Sequence, residues 1–322
     1  MTKYLVSGYV GFDNFGDEAI ASLLARHLKT LNPEKITWIS SNPDKTKQLY
    51  DVNTVGMLKF SDALKECDVL ISGGGSLLQD ITSLKSLVYY VGIITLAILL
   101  NKKVYIFAQG FTPFRTKIGE FMTKFVLKRC HHISVRDKKS QELLQKWGIN
   151  SERIPDPVYG IESKNTEHKG VGVQLRSFPT LTKDFLESLA ENIKNTFPNQ
   201  KIDLLSLQDN IDLPVIETFA QMLSNKGIEF EIFQNLSVEN AVEKISSLEY
   251  LIAMRFHACL VGAKTGVKVL GINYDEKVKK LSSEIGFPLI NLDIQETSKI
   301  SEIFNVDTKN YNLPQTYFPD FS

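Results

Sequence analysis

The chain has 322 residues, 43% hydrophobic and 23% charged, with 37 Lys+Arg against 37 Asp+Glu and a formal net charge of zero. That length suggests two domains with cores large enough to need no disulfide or metal to hold them. The balanced charge argues against a generic polyanion binder, so no nucleic-acid partner is expected. The halves nevertheless differ: residues 1–160 hold 21 basic and 15 acidic side chains, and the remainder holds 16 and 22. Such polarity would attract the halves across a cleft, or it arises by chance. Cys67, Cys130 and Cys259 have no paired spacing, which fits a reducing compartment.

The N-terminus runs straight into a strand, Tyr4-Leu5-Val6-Ser7-Gly8-Tyr9, without a signal-peptide pattern, so a cytoplasmic protein is expected. A loop from Val10 to Gly16 leads into a helix from about Asp17 to Leu31, and Ile36 to Ser40 is a second strand. Asp68 to Ser72 is a buried strand ending in Gly73-Gly74-Gly75. The helix near 84–101 contains the longest apolar run, Leu87 to Leu100, which is too short to span a bilayer and reads as a buried helix. The strand Val104 to Ala108, a basic amphipathic helix near 115–130 and the strand His132 to Val135 follow.

Asp156-Pro157 and the polar stretch Ser163 to Lys169 read as a linker. The pattern then restarts with strands at 170–175, 202–206, 229–233, 250–253 and 267–272, alternating with helices at 183–196, near 213–226, at 238–247 and near 255–265. Alternating apolar strands and helices predict an α/β protein of mostly parallel sheets: two facing Rossmann-like domains with a ligand cleft between them. The expected boundaries are 1–162, 163–305 and a tail, 306–322, that packs back as coil.

In parallel sheets ligands bind beyond the carboxyl ends of the strands, so the residues after each strand are the candidates. Asn14, Asp17 and Glu18 suit sugar hydroxyls, or they cap the helix that follows. Gly73, Gly74, Gly75 and Ser76 let backbone N–H groups approach a ligand oxygen, or they make a tight turn under a closely packed helix. Arg136 either clamps a carboxylate or phosphate or pairs with Asp137 or with the other domain. The cluster Arg255-Phe256-His257 puts a cation and a titratable imidazole at a helix start, an anion site with a proton donor. Lys277 reaches the same anion or is solvated. None of the five histidines has metal-ligand spacing, so a metal-independent reaction on an anionic small molecule, without a cofactor, is expected.

Taken together, Gly8 to Ile20 (GYVGFDNFGDEAI), Gly73 to Asp80 (GGGSLLQD), Ala108-Gln109-Gly110, Val135-Arg136-Asp137 and Arg255-Phe256-His257-Ala258 resemble the polysaccharide pyruvyl transferases, in the CsaB-like, cell-wall-polymer branch. The motifs follow the family's order over residues 4 to about 285. Asp13, where Asn is commoner, and the displaced Pro113 are small departures. The resemblance implies a glycosyltransferase-B-like fold and phosphoenolpyruvate as co-substrate. The pyruvyl carbon would be joined as a cyclic ketal to two hydroxyls of one sugar, with release of phosphate. The second domain is the expected phosphoenolpyruvate side; the donor's carboxylate and phosphate need several cations, which Arg136, Arg255 and Lys277 could supply, and protonation at C3 needs a general acid, for which His257 is the candidate. The sugar would lie near Asn14, Asp17, Glu18 and Gly73–Ser76, with Gln109 beside them, and Asp17 and Glu18 are the candidate bases. The acceptor would be a sugar or lipid-linked oligosaccharide. The segment Arg115 to Lys139, with eight basic residues against Glu120 and Asp137, would be a peripheral membrane contact or a solvated basic face. Two other readings compete: a nucleotide-sugar glycosyltransferase of the same fold, for which Asp275 and Glu276 supply carboxylates, and a non-catalytic sugar- or lipid-binding module.

Overall fold

Strands covered by helices on both faces carry apolar runs rather than alternating patterns. Tyr4-Leu5-Val6 is such a run. In the computed structural model, which describes residues 1–81, 83–164 and 167–321, it forms β1 (Lys3–Ser7) with Leu5 and Val6 fully buried. Then follow α1 (Phe15–Thr30), β2 (Lys35–Ser40), α2 (Pro43–Tyr50), β3 (Asn53–Gly56), α3 (Ser61–Glu66) and β4 (Val69–Ser72). The series continues with α4 (Leu84–Leu99), β5 (Lys103–Gln109), α5 (Lys117–Leu127), β6 (His132–Val135), α6 (Lys138–Lys146) and β7 (Glu152–Arg153). All these strands are parallel, in the order β3-β2-β1-β4-β5-β6-β7.

A second sheet is built from β8 (Val171–Gln174), α7 (Lys183–Thr196), β9 (Ile202–Leu205), α8 (Asp209–Asn225), β10 (Phe230–Phe233) and α9 (Val238–Ser246). It is completed by β11 (Tyr250–Ala253), α10 (Phe256–Lys264), β12 (Lys268–Asn273), α11 (Glu276–Ile285) and β13 (Leu289–Asn291). Its strands are also parallel, ordered β10-β9-β8-β11-β12-β13. The chain divides into two units, Met1–Gly160 with the segment from Gln315 on, and Ile161–Pro314. Each has its own hydrophobic core.

Both orders are Rossmann-like, and each reverses once: between β1 and β4 in the first unit and between β8 and β11 in the second. At such a switch point neighbouring loops diverge to opposite faces and leave a crevice at the carboxyl ends of the strands. In the first unit the crevice is bordered by the loop after β1 and by Gly73–Ser76. In the second it is bordered by the residues after β8 and after β11.

Three differences from the sequence reading have simple causes. Asp156-Pro157 is not linker: Asp156 is buried, and Pro157–Gly160 form a 3₁₀ turn. α8 starts at Asp209, four residues before the expected 213, so Pro214 lies inside the helix. α4 is not buried all round: Leu87, Tyr90, Val91, Ile93, Ile94 and Ala97 are, whereas Leu84, Val88, Leu96 and Leu99 are exposed. In the tail, Phe318 stacks on His27 at 4.3 Å between ring centroids, and Phe321 is buried against Phe107.

Candidate functional site

In the first unit the candidates separate into those that build the crevice and those that line it. Asn14 is the N-cap of α1, its Oδ1 accepting from the N–H groups of Gly16 (3.1 Å) and Asp17 (3.4 Å). Glu18 is buried; it accepts from the Gly11 N–H at 2.7 Å and from the Tyr50 hydroxyl. Burial pushes its carboxyl above the usual range, and the Tyr50 and Gly11 hydrogen bonds pull it back only in part. Both residues therefore shape the loop after β1, Glu18 through its buried carboxylate and Asn14 through Oδ1.

Asp17 is different. It is only partly buried, and its Oδ1 lies 2.8 Å from where a side chain at Gly75 would begin. Gly75 has φ +94°, so both its conformation and the Asp17 carboxylate require glycine there. Burial, and after it the charge of Asp17, raises the phenols of Tyr9 and Tyr90. Gly74 has another reason: a Cβ would meet Ile20 Cγ2 at 2.7 Å, so α1 packs directly on the loop.

Gln109 was expected at the substrate, but it is fully buried. Its Oε1 accepts from the N–H groups of Leu77 (3.2 Å) and Leu78 (3.3 Å), and its Nε2 donates to the Gly73 carbonyl (3.4 Å). The preceding Ala108 has φ +46°, and the β5–β6 register shifts between Ile106 and Gln109. This bulge re-aims the Gln109 side chain beneath the glycine loop, where it fixes the loop from behind.

Arg136 pairs with Asp156. Nη1 lies 2.7 Å from Oδ2 of Asp156, which is 3% exposed, and Nη2 donates to Ser76 Oγ at 3.2 Å. Asp137 instead caps α6 through the Ser140 N–H (2.9 Å). Arg136 thus connects Ser76 to a buried counter-ion.

In the second unit Arg255 occupies the N-cap position of α10. Its Nε and Nη2 donate to the two oxygens of Asp212 at 2.8 and 2.6 Å, and Nη2 also reaches Gln208 Oε1 at 3.2 Å. Asp212 is fully buried and also accepts from the N–H groups of Leu207 and Gln208 and from Gln174 Nε2. Nη1 of Arg255 makes no hydrogen bond among the described residues. The expected anion clamp is therefore first an internal ion pair with one nitrogen left over.

The sequence reading missed Arg176. Arg176 and Arg255 each lie two residues beyond the paired Gln174 and Ala253, so they flank the switch point side by side. Arg176 Nη1 donates to the Tyr274 hydroxyl at 3.2 Å, and its Cζ lies 5.3 Å from that ring's centroid. No carboxylate pairs with it among the described residues, and its Nε is buried without an acceptor. Burial raises the Tyr274 phenol, while the charge and hydrogen bond of Arg176 and, more weakly, the charge of Arg255 pull it down. The available signal was a repeated pattern: Val135-Arg136, Leu175-Arg176 and Met254-Arg255 each end an apolar strand with arginine.

His257 is the second residue of α10, partly buried, with its ring edge-to-face on Phe256 at 4.9 Å. Lys277 lies in the first turn of α11, after β12, which neighbours β11. Its Nζ is 3.7 Å from Asp275 and its side chain is 42% exposed. The same sheet edge therefore carries Arg176, Arg255, His257 and Lys277. In the first unit a cavity of about 530 Å³ lined by His131, His132 and Glu152 lies at the N-terminal end of β6 and β7, opposite the strand ends that carry Arg136.

A family model described as polysaccharide pyruvyl transferase matches residues 14–276. The amylovoran biosynthesis protein AmsJ of Erwinia amylovora is 18% identical over 284 residues, covering 77% of this chain and 67% of its own. Among solved structures, UDP-GlcNAc 2-epimerase from Methanocaldococcus jannaschii superposes with a TM-score of 0.70 at 13% identity, covering 97% of this chain and 95% of that one. Anabaena Alr3699/HepE in complex with UDP and glucose gives 0.62 at 11% identity, covering 97% and 92%. These structural likenesses show the glycosyltransferase-B-like α/β fold.

Proposed function

The chain belongs to the polysaccharide pyruvyl transferase family, and from that premise we propose that it transfers the pyruvyl group of phosphoenolpyruvate to two hydroxyls of one sugar. The acceptor would be a cell-surface polysaccharide or its lipid-linked precursor, met from the cytoplasmic side. The observation that carries the donor assignment is the pair of arginines at the switch point of the second unit. Phosphoenolpyruvate bears a carboxylate and a phosphate, and such groups are best held by guanidinium forks. Arg176, which has no carboxylate partner among the described residues, and Nη1 of Arg255 are the available donors. The N-terminus of α10 adds a favourable field for an anion, and Lys277 supplies a further cation at the same sheet edge.

The chemistry balances without a cofactor. His257 protonates C3 of the enol, and the first sugar hydroxyl adds at C2. The C2–O bond to phosphate then breaks, and the second hydroxyl closes the ketal. One hydroxyl proton is in effect exchanged for the proton on C3, and the other leaves with phosphate. Asp17, beside Gly75, is the acceptor-side base in this reading, because Glu18 is turned into the loop.

The test is calorimetric titration with phosphoenolpyruvate, with UDP and UDP-sugars as comparison ligands. Saturable binding of phosphoenolpyruvate, weakened about 10–100-fold in Arg176→Ala, is expected, since hydrogen bonds to charged groups are worth about 1.5–3 kcal/mol. Binding of UDP without phosphoenolpyruvate would replace this reading with a nucleotide-sugar glycosyltransferase.

A further inference from the structure

The outer surface of the first unit carries an inference that does not rest on the donor or the reaction. α4 joins β4 to β5 and α5 joins β5 to β6, moving in one direction across the sheet. Right-handed crossovers put both helices on the same face of that sheet, and the two pack against each other. Their outward sides belong to solvent, where a helix of a globular protein is polar.

Here they are apolar. Leu84, Val88 and Leu99 of α4 and Ile118, Phe121 and Phe125 of α5 are all exposed, Leu99 at 70% and Phe121 at 67%. The spacing 84, 88, 99 keeps to one side of α4, and Gly92, on that same side, opens on empty space. α4 contains no acidic residue and a single basic one, Lys85.

The charge carried by this stretch of chain is nearly all of one sign. Between Asp80 and Asp137 the sequence has nine Lys or Arg and one acidic residue, Glu120. Asp80 is buried and accepts from the backbone of Arg115 and Thr116, and Glu120 accepts from Trp147 Nε1 at 3.0 Å. The Arg129 guanidinium lies 3.7 Å over the Phe125 ring, a cation resting on the edge of the apolar face.

We propose that this two-helix face docks on an anionic lipid bilayer. Its leucines and phenylalanines would enter the boundary between headgroups and acyl chains, while Lys85, Arg115, Lys117, Lys128 and Arg129 meet the headgroups. Half of these apolar residues come from α4, outside the basic segment 115–139 that the sequence singled out. The mode is lying on the membrane: at 16 residues α4 is about 24 Å long against a hydrocarbon core of about 30 Å. No helix of the described residues is long and apolar enough to cross a membrane. Charge complementarity selects the bilayer over a second copy of the chain, because a two-fold contact through this face would set its basic rims against each other.

The test is co-sedimentation of the full chain with vesicles of phosphatidylcholine and phosphatidylglycerol, compared with phosphatidylcholine alone. Binding to the mixed vesicles, at least about tenfold weaker to the neutral ones and reduced by salt, is expected. The double variant Leu99→Asp/Phe121→Asp should lose at least about tenfold in vesicle binding with an unchanged melting temperature, because both positions are exposed. Independently, Phe121→Trp should shift its emission to the blue on mixed vesicles. Absence of binding would overturn the proposal, as would binding indifferent to these substitutions. So would a concentration-dependent dimer that the double variant abolishes. None of these readouts needs phosphoenolpyruvate, so the failure of one proposal leaves the other standing.

Discussion

Asp212→Ala tests whether the second site is assembled around a buried ion pair. Asp212 is fully buried and accepts five hydrogen bonds: two from Arg255, two from the N–H groups of Leu207 and Gln208, and one from Gln174. Its removal leaves a guanidinium that is 8% exposed without its counter-ion. Breaking such a pair from one side costs about 3–5 kcal/mol. The three orphaned donors add to that, at up to about 1–3 kcal/mol each where no water replaces the carboxylate. A loss of about 4–6 kcal/mol is therefore expected, and in a unit of this size it corresponds to a fall of about 10–20 °C in its melting temperature. Circular dichroism of the full chain on heating reads it. Asp212→Asn keeps one acceptor oxygen and should fall in between. Donor titration well below the transition should show weaker phosphoenolpyruvate binding in both, because Arg255 loses the support that aims Nη1. A shift of less than about 2 °C in Asp212→Ala would refute the reasoning. The same geometry makes Arg255→Ala ambiguous, since it abandons Asp212 inside the fold as well as removing a donor contact. Arg176→Ala lacks that complication.

Three further outcomes are expected. His257→Ala should lower kcat by about 10²–10⁴-fold while donor binding and melting temperature stay close to wild type; near-normal turnover in a phosphate-release assay would end its role as the acid. Glu18 has a folded pKa raised above its ordinary 4.5, so the stability linked to its protonated form is full below pH 4.5 and is lost as pH rises through the folded value. Glu18→Gln should remove that loss, so melting curves of variant and wild type taken from acid to neutral pH should diverge upward for the variant; parallel curves would show that the carboxyl is not penalised by burial. Gly75→Ala forces a Cβ to 2.8 Å from Asp17 Oδ1 at φ +94°. It should destabilise the first unit by about 1–3 kcal/mol in urea unfolding, and an unchanged midpoint would mean that the loop relaxes freely.

The sequence made the inner strands plain because both of their faces are buried: Val69-Leu70-Ile71 and Tyr250-Leu251-Ile252 can hardly be anything else. The edges were not legible. β3 is Asn-Thr-Val-Gly and β7 is Glu-Arg, each with one neighbour and little core to fill, so neither carries an apolar run. The polar helices α2 and α6 bury only Thr46 and Tyr50, and Ser140 and Leu144, too few to mark a helical face.

At the site, local chemistry was legible and long-range pairing was not. Arg136 and Arg255 stand out because a cation after an apolar strand is conspicuous, but what each cation does depends on a carboxylate elsewhere in the chain. For Arg136 it is Asp156, hidden in an Asp-Pro pair that reads as linker. For Arg255 it is Asp212, placed by a turn of α8 that begins before Pro214, where sequence rules put the helix start. Each buried carboxylate holds its arginine in place and cancels part of its charge. Arg176 ends its strand in the same way without such a partner among the described residues. Its charge is therefore the one at that switch point left uncompensated for an anionic ligand, and a sequence read one motif at a time gave no reason to separate it from a solvated surface arginine.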